Sequence, residues 1–337
     1  MSGIRRRKRI DRGIKVRSES IYVLTSLREI GYLAAPRVLL VGGLLALPLA
    51  RQGSPYAGKV ALSALIVALL AISFDFLANF AGLVCLGGAF FYGVGGYAAA
   101  FLNEELGLPC YLALPLAAVL GALICTLAIW PCLPLRGIYF AVVTLMYPLL
   151  ATRLIEAFDV LGGTEGYMGI IGFPSETLEA YVLIVLVLAG LFGLRRFLAE
   201  DPGLVIRAVK DNDQAVKAAG IGVTWCRTKT LFIASLFGCF AGAYYAHLYG
   251  AVGISAFALD LSLLPIAATV VGGSGTLVGP LVGSLLLVPL GELLREFGGL
   301  RTAVYAAILT VVIVLRSEGL IPFLARKYAQ RETWVEL

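Results

Sequence analysis

Charge is what this 337-residue chain has least of: 14% of its residues are Asp, Glu, Lys or Arg, against 60% apolar. Soluble domains carry about 25% charged residues, so the deficit excludes an ordinary soluble enzyme and indicates a membrane protein. No long polar segment is present from which a separate soluble domain could be built. Histidine is nearly missing; the single His247 excludes a His-rich metal site. The six cysteines (Cys85, Cys110, Cys125, Cys132, Cys226, Cys239) form no C-x-x-C pair. Most lie in or beside apolar runs, where a thiol behaves as a small packing group. No G-x-x-x-x-G-K-[ST] phosphate loop occurs, so ATP chemistry of that kind is not encoded here. The net charge of +6 does not argue for nucleic acid, because the basic residues flank apolar segments instead of forming a polar, aromatic-bearing surface.

What is present is a succession of apolar runs. A membrane-crossing helix needs about 20 mainly apolar residues. The candidates are 38–50, 60–80, 83–101, 110–131, 138–151, 178–195, 229–250, 259–273, 277–292 and 302–316. Several are short, and Pro115, Pro148, Pro265, Pro280 and Pro289 fall in them, which predicts broken or re-entrant helices. The fold class is an all-α polytopic membrane protein of about 8–10 transmembrane helices.

Cytoplasmic loops concentrate Lys and Arg. With the N-terminus inside and ten crossings, 22 of the 27 basic residues face the cytoplasm, leaving Arg51, Lys59, Arg153, Arg295 and Arg301 outside. Three regions follow: a basic N-terminal tail (1–32), a transmembrane domain (33–316) and a C-terminal tail (317–337), both tails cytoplasmic. The basic start is separated from the first apolar run by mixed residues, unlike a cleaved signal peptide.

One polar island, the loop 199–228, interrupts the apolar bulk. It contains "EDPGLVIRAVKDNDQAVKAAGIGV", Glu200 to Val223. Asp201-Pro202 reads as an N-cap followed by proline at the first helical position, and Gly220 as a stop. Val205, Val209, Val216 and Ala219 fall on one stripe at helical spacing, with Arg207, Lys210, Gln214 and Lys217 elsewhere. The expectation is one capped amphipathic helix from about Pro202 to Ala219. Such a helix either rests on the membrane surface or docks in a groove of a partner.

The stretch "RAVKDNDQAVKAAGI" (Arg207–Ile221) resembles the cytoplasmic coupling segment of branched-chain amino acid ABC permeases of the LivM type. Gly203, Arg207, Ala208, Asp211, Asn212, Ala215, Gly220 and Ile221 match that family's pattern, and Leu204 stands where the family usually has Arg. "NFAGLVCLGGAFFYGVGGYAAAFL" (Asn79–Leu102), "RGIYFAVVTLMYP" (Arg136–Pro148), "LGGTEGYMGI" (Leu161–Ile170) and "VVGGSGTLVGPLVGSLLLVPLGELLR" (Val270–Arg295) resemble further family segments, in the family's order. Leu83, Cys85 and Gly88 replace the Gln, Ser and His that the family often has in the first of these.

The resemblance implies a permease subunit in a bacterial inner membrane that takes no cofactor itself, ATP being used by partners. Those partners are two ATP-binding cassette subunits, a second related permease and an external solute-binding protein, besides membrane lipid. Contacts with the ATP-binding subunit fall on Asp201, Pro202, Gly203, Arg207, Lys210, Asp211, Asn212, Ala215 and Gly220. The implied substrates are branched-chain or other hydrophobic amino acids, with urea or short amides as the alternative. An ATP-independent secondary transporter would spread charged residues through several spans, whereas Asp75 stands essentially alone.

Asp75, with Asn79 in hydrogen-bonding reach, is a candidate for the translocation path or for a buried structural network. Gly82, Gly87, Gly88 and Thr144 join the path candidates; the glycines serve either close helix packing or exposed backbone at a broken helix. Gly272, Gly273, Gly275 and Gly279 read as a cytoplasmic hinge or tight turn, and His247 as a packing residue. Gly163, Thr164, Glu165 and Gly166 are candidates for an outer mouth, or for a turn beside a short helix.

Overall fold

The computed structural model describes residues 5–9, 35, 38–48, 55–135, 137–295, 307, 310, 314, 318–329 and 332–336. The candidate span 302–316 (apart from 307, 310 and 314), Arg136 and the N-terminal tail beyond Arg5–Arg9 lie outside them. The helices are α1 (Val38–Pro48), α2 (Pro55–Asp75), α3 (Gly88–Glu104), α4 (Cys110–Ile129), α5 (Ile138–Phe158) and α6 (Glu176–Ala199). They continue as α7 (Asp201–Asp211), α8 (Asp213–Ala218), α9 (Val223–Tyr249), α10 (Asp260–Gly272), α11 (Val278–Leu293) and α12 (Leu320–Ala329). Two antiparallel strand pairs complete the described chain: β1 (Arg5–Arg9) with β4 (Glu332–Glu336), and β2 (Tyr167–Met168) with β3 (Ala251–Val252).

Five described helices are long and apolar enough to cross a membrane: Tyr56–Phe80, Cys110–Cys132, Ile138–Phe158, Glu176–Ala199 and Val223–Tyr249. Val38–Pro48, Asp260–Gly272 and Val278–Leu293 are shorter apolar helices. The protein is thus an all-α polytopic membrane protein with broken elements. The prolines, however, are not where it breaks. Pro115, Pro148, Pro265 and Pro289 all lie inside helices. Each removes one backbone bond, the one its missing N–H would give to the carbonyl a turn earlier, and the helix continues through it. The interruptions fall instead at 81–87, non-helical between the π-helical turn Phe76–Phe80 and α3, and at 250–259, a strand and a 3-10 turn before α10. The expected span 83–101 is therefore a non-helical segment followed by a helix of 17 residues.

Helices α3 and α9 form the centre. A Cβ on Gly95 would lie 2.2 Å from the Cys239 carbonyl oxygen, and one on Gly242 would lie 1.8 Å from that of Tyr92. The two backbones touch, so only glycine fits at this crossing, the small-residue packing that lipid-embedded helices use in place of a hydrophobic drive. Around them Phe91, Tyr244, Leu183, Ile184 and Ile129 are almost fully enclosed.

The bundle contains two similar halves. The first comprises α2, the first broken span with α3, and α4; the second comprises α9, the second broken span with α10, and α11; α3 packs on α4 as α10 packs on α11. α9 lies on α3 and α4; α2 lies on α10 and α11; α2 and α9 cross. The halves run in opposite directions, because α2 ends beside α7 whereas α9 starts beside α8. Inverted halves with interrupted helices are a recurrent transporter plan.

Candidate coupling and translocation site

The polar segment leaves α6 through a tight corner. A Cβ at Gly203 would sit 2.4 Å from the Leu198 Cα, so this glycine lets α7 fold back against α6. Ile206 then enters the main core, and Val209, Val216 and Val223 form a small cluster with Val205 and Cys226 against it. Of the apolar stripe expected from sequence, Val205, Val209 and Val216 turn inward while Ala219 is exposed, and the single helix is not formed. The segment breaks at Asn212, whose backbone is extended (φ −155°, ψ 97°). Its side-chain oxygen accepts from the Gln214 and Ala215 amides, both at 3.1 Å, and so caps α8. Asn favours this local bonding over a helix interior, which is why two helices form. The expected cap at Asp201 is corrected as well: Asp201 is inside α7, the flanking residue is Glu200, and no side chain caps that end. Gly220 does end α8, with φ +80°.

The exposed side of this segment carries Asp201, Pro202, Asp211, Gln214, Ala215 and Lys217. Three other contacts bolt it to the membrane helices. The Arg207 guanidinium lies 5.6 Å from the Phe80 ring centroid. Lys210 Nζ donates to the Asn79 carbonyl at 2.7 Å. Asp213 pairs at 3.6 Å with the mostly buried Arg227, which also donates to the Leu133 carbonyl at 3.1 Å. Arg227 was not among the residues singled out from sequence, where nothing sets it apart from other loop cations.

The six path candidates divide into two groups. Asp75, Asn79 and Gly82 gather at the α7 end of the bundle. Asn79 Nδ2 donates to Asp75 Oδ1 at 2.7 Å. The fully enclosed Asp75 carboxylate also accepts from the Gly275 amide (2.7 Å, Oδ1) and the Leu277 amide (3.1 Å, Oδ2). The glycine turn between α10 and α11 thus receives Asp75, joining two features that lie far apart in the sequence. Gly87, Gly88 and Thr144 meet deeper in the bundle. The buried Thr144 hydroxyl accepts from the Leu86 amide at 3.1 Å, and a Cβ on Gly87 would lie 2.8 Å from the Thr144 carbonyl oxygen. Pro148 lacks the N–H that would ordinarily engage that carbonyl. Ser262, at the start of α10, accepts from the Ala89 amide at 2.9 Å. The two helices that follow the breaks, α3 and α10, therefore begin side by side.

Beside the first break is a cleft of about 270 Å³. Gly82, Leu83 and Val84 line one wall and Lys210 to Gln214 another, with Phe140 and Arg227 between. Among the described residues no three His, Cys, Asp or Glu side chains are placed to hold a metal ion.

At the far end, Gly163 is buried while Thr164 and Glu165 are exposed. A Cβ on Gly166 would strike the Val252 carbonyl oxygen at 2.2 Å. The loop is thus pressed against β3, next to the β2–β3 pair. Burial, then the Glu105 and Glu104 carboxylates, push the Tyr167 phenol above its ordinary value. His247 Nδ1 lies 2.9 Å from the Ile171 carbonyl, and its ring meets Phe173 edge-on, a packing position.

Comparison with known proteins finds relatives over most of the chain. The family described as "Branched-chain amino acid transport system / permease component" matches residues 56–316. The high-affinity branched-chain amino acid transport system permease proteins LivM of Salmonella typhimurium and Escherichia coli are each 26% identical over 294 residues, covering 78% of this chain and 69% of theirs. A probable branched-chain amino acid transport permease protein LivM of Methanocaldococcus jannaschii is 32% identical over 186 residues, 52% of this chain and 54% of its own. No solved structure matches the chain.

Proposed function

The chain belongs to the branched-chain amino acid transport system permease component family, and from that premise we propose that it is the membrane subunit of a binding-protein-dependent ABC importer for branched-chain or other hydrophobic amino acids. ATP is hydrolysed on two separate cassette subunits; a second related permease completes the path, and an external binding protein delivers the cargo. The membrane is the bacterial inner membrane, and the α7–α8 end faces the cytoplasm. Basic side chains at that end, among them Arg195, Arg196, Lys217, Lys229, Arg326 and Lys327, support this orientation. At the other end lie Glu104, Glu105, Glu156, Glu165 and Glu176.

The observation that carries the reading is the α7–α8 segment itself. Its apolar side is locked onto the bundle by Ile206, Val209 and Val216, while Asp211, Gln214 and Lys217 stay exposed for a partner. A segment fixed on one side and open on the other can transmit force, as a loose loop cannot. Closure of the nucleotide-bound subunits pushes α7–α8, and the push reaches the first break and the end of α4 through Lys210 and Arg227. The deeper group around Gly87, Gly88 and Thr144 belongs to the path. Backbone groups at the paired starts of α3 and α10 are suited to the polar end of an amino acid whose side chain needs only apolar surroundings.

The test is co-purification with an ATP-binding subunit, followed by reconstitution into vesicles with a binding protein. The paired changes Asp211→Ala and Asn212→Ala are expected to leave ATP hydrolysis running while uptake falls. Unchanged uptake per ATP in that variant contradicts the assignment.

A further inference from the structure

Asp75 occupies a position that the coupling reading alone does not require. Its carboxylate is enclosed and meets three donors from two distant parts of the chain: Asn79 on its own π-helical turn, and the Gly275 and Leu277 amides on the α10–α11 turn. Leu277 holds a left-handed backbone (φ 58°), a conformation that L side chains adopt only where the surroundings impose it. The carboxylate bond to the Leu277 amide is one such constraint. Amides converging from a tight turn make a receptor for an anion, and here the anion is a side chain from the other half of the bundle.

The same cluster reaches the polar segment in one more step. Lys210 Nζ donates to the Asn79 carbonyl, and the Lys210 stem lies against Gly82, where a Cβ would approach Lys210 Cγ to 2.9 Å. Asn79 is therefore held on both sides: its carbonyl by α7, its amide by Asp75. A chain of bonds runs from Lys210 through Asn79 and Asp75 to the α10–α11 turn. It joins the surface segment to both inverted halves.

Resting on the reading of α7–α8 as the coupling segment, we infer that Asp75 is a positioning residue that carries movement of α7 to the α10–α11 turn, so that both halves respond to one push. Asp75 touches no cargo in this role. Charge-assisted bonds, stronger than neutral ones, keep the turn and the π-helical end together while α7 moves. The turn in turn abuts α12, since a Cβ on Gly273 would meet the Pro322 ring at 2.4 Å.

The test uses the complete transporter in vesicles, with binding protein and a hydrophobic amino acid, reading amino acid taken up per ATP hydrolysed. Lys210→Met keeps the stem and removes the donor; Asn79→Ala removes one link and leaves the Asp75 bonds to Gly275 and Leu277 in place. Asp75→Asn removes the charge. Each single change is expected to lower the ratio at least tenfold while hydrolysis continues, and Lys210→Met with Asp75→Asn is expected to be no worse than either alone. A purely structural role would lower the amount of assembled complex and leave the ratio of the assembled fraction unmoved, which overturns the inference. Effects that multiply in the double variant overturn it too. If Asp75→Asn does not assemble, Lys210→Met and Asn79→Ala decide by the same ratio. An unmutated complex with no substrate-stimulated hydrolysis would overturn the coupling reading itself, and that failure is seen before any variant is made.

Discussion

The two broken spans invite comparison, because they are counterparts in the inverted halves yet are held by different chemistry. The first, 81–87, is flanked by polar attachments: Lys210 on Asn79, Asp75 on the glycine turn, Thr144 on the Leu86 amide. The second, 250–259, is held by aromatic packing and a short ladder. Phe257 stacks on Tyr97 at 5.6 Å, Tyr97 meets Tyr167, and β3 pairs with β2. Directional bonds have discrete partners, so breaking one commits the local structure to another arrangement. Aromatic packing is less directional and tolerates small slides. One break is thus wired to the surface segment and the other is clamped by its surroundings.

Substitutions test this contrast. The largest effect is expected where the two halves meet. Gly242→Ala places a Cβ 1.8 Å from the Tyr92 carbonyl, so α3 and α9 must separate and both breaks suffer together. Overpacking costs about 1–3 kcal/mol and here reaches at least the upper figure; thermal unfolding of the detergent-solubilised protein measures it. Next come the hydroxyls at the start of α3. Thr144→Val and Ser262→Ala each remove one acceptor from a buried amide, at about 1–3 kcal/mol each. Uptake should fall in both while the β2–β3 end, followed by hydrogen exchange, stays protected. Asn212→Ala unseats the cap of α8 for about 1 kcal/mol, and faster exchange at the Gln214 and Ala215 amides alone is the expected signature. The smallest effect belongs to Tyr97→Phe. The Tyr97 hydroxyl is buried and has no hydrogen-bond partner among the described residues, so stability should stay within about 0.5 kcal/mol, as for a change away from any network. A large loss of uptake in that variant would show that the second break also binds polar cargo, erasing the contrast.

Much of the plan was legible in the sequence, and the exceptions have physical reasons. The long spans announced themselves by length and hydropathy, and the Val209–Val216 stripe by helical spacing, since both are local properties. The helix break at Asn212 could have been read: Asn is a favoured N-cap, and Asp-Asn-Asp-Gln offers that cap in mid-helix. Proline misled, because within a span it removes one backbone bond without ending the helix, as at Pro148 and Pro265. Asp75 and Gly275 are 200 positions apart, and no periodicity links them; an acid in one apolar run and a glycine turn in another become one contact only after folding. Ser262 and Leu277 carried no signal for the same reason.

Coupling of this kind requires α7–α8 to be the face that a cassette subunit grips. A single cysteine at Gln214, in a background lacking the six native cysteines, tests this by cross-linking in the assembled transporter. The account predicts a cross-link to the ATP-binding subunit whose yield changes when nucleotide is added, and no such product from a cysteine at Glu165. A Gln214 cysteine that never reaches that subunit, in a complex that still imports its amino acid, would contradict it.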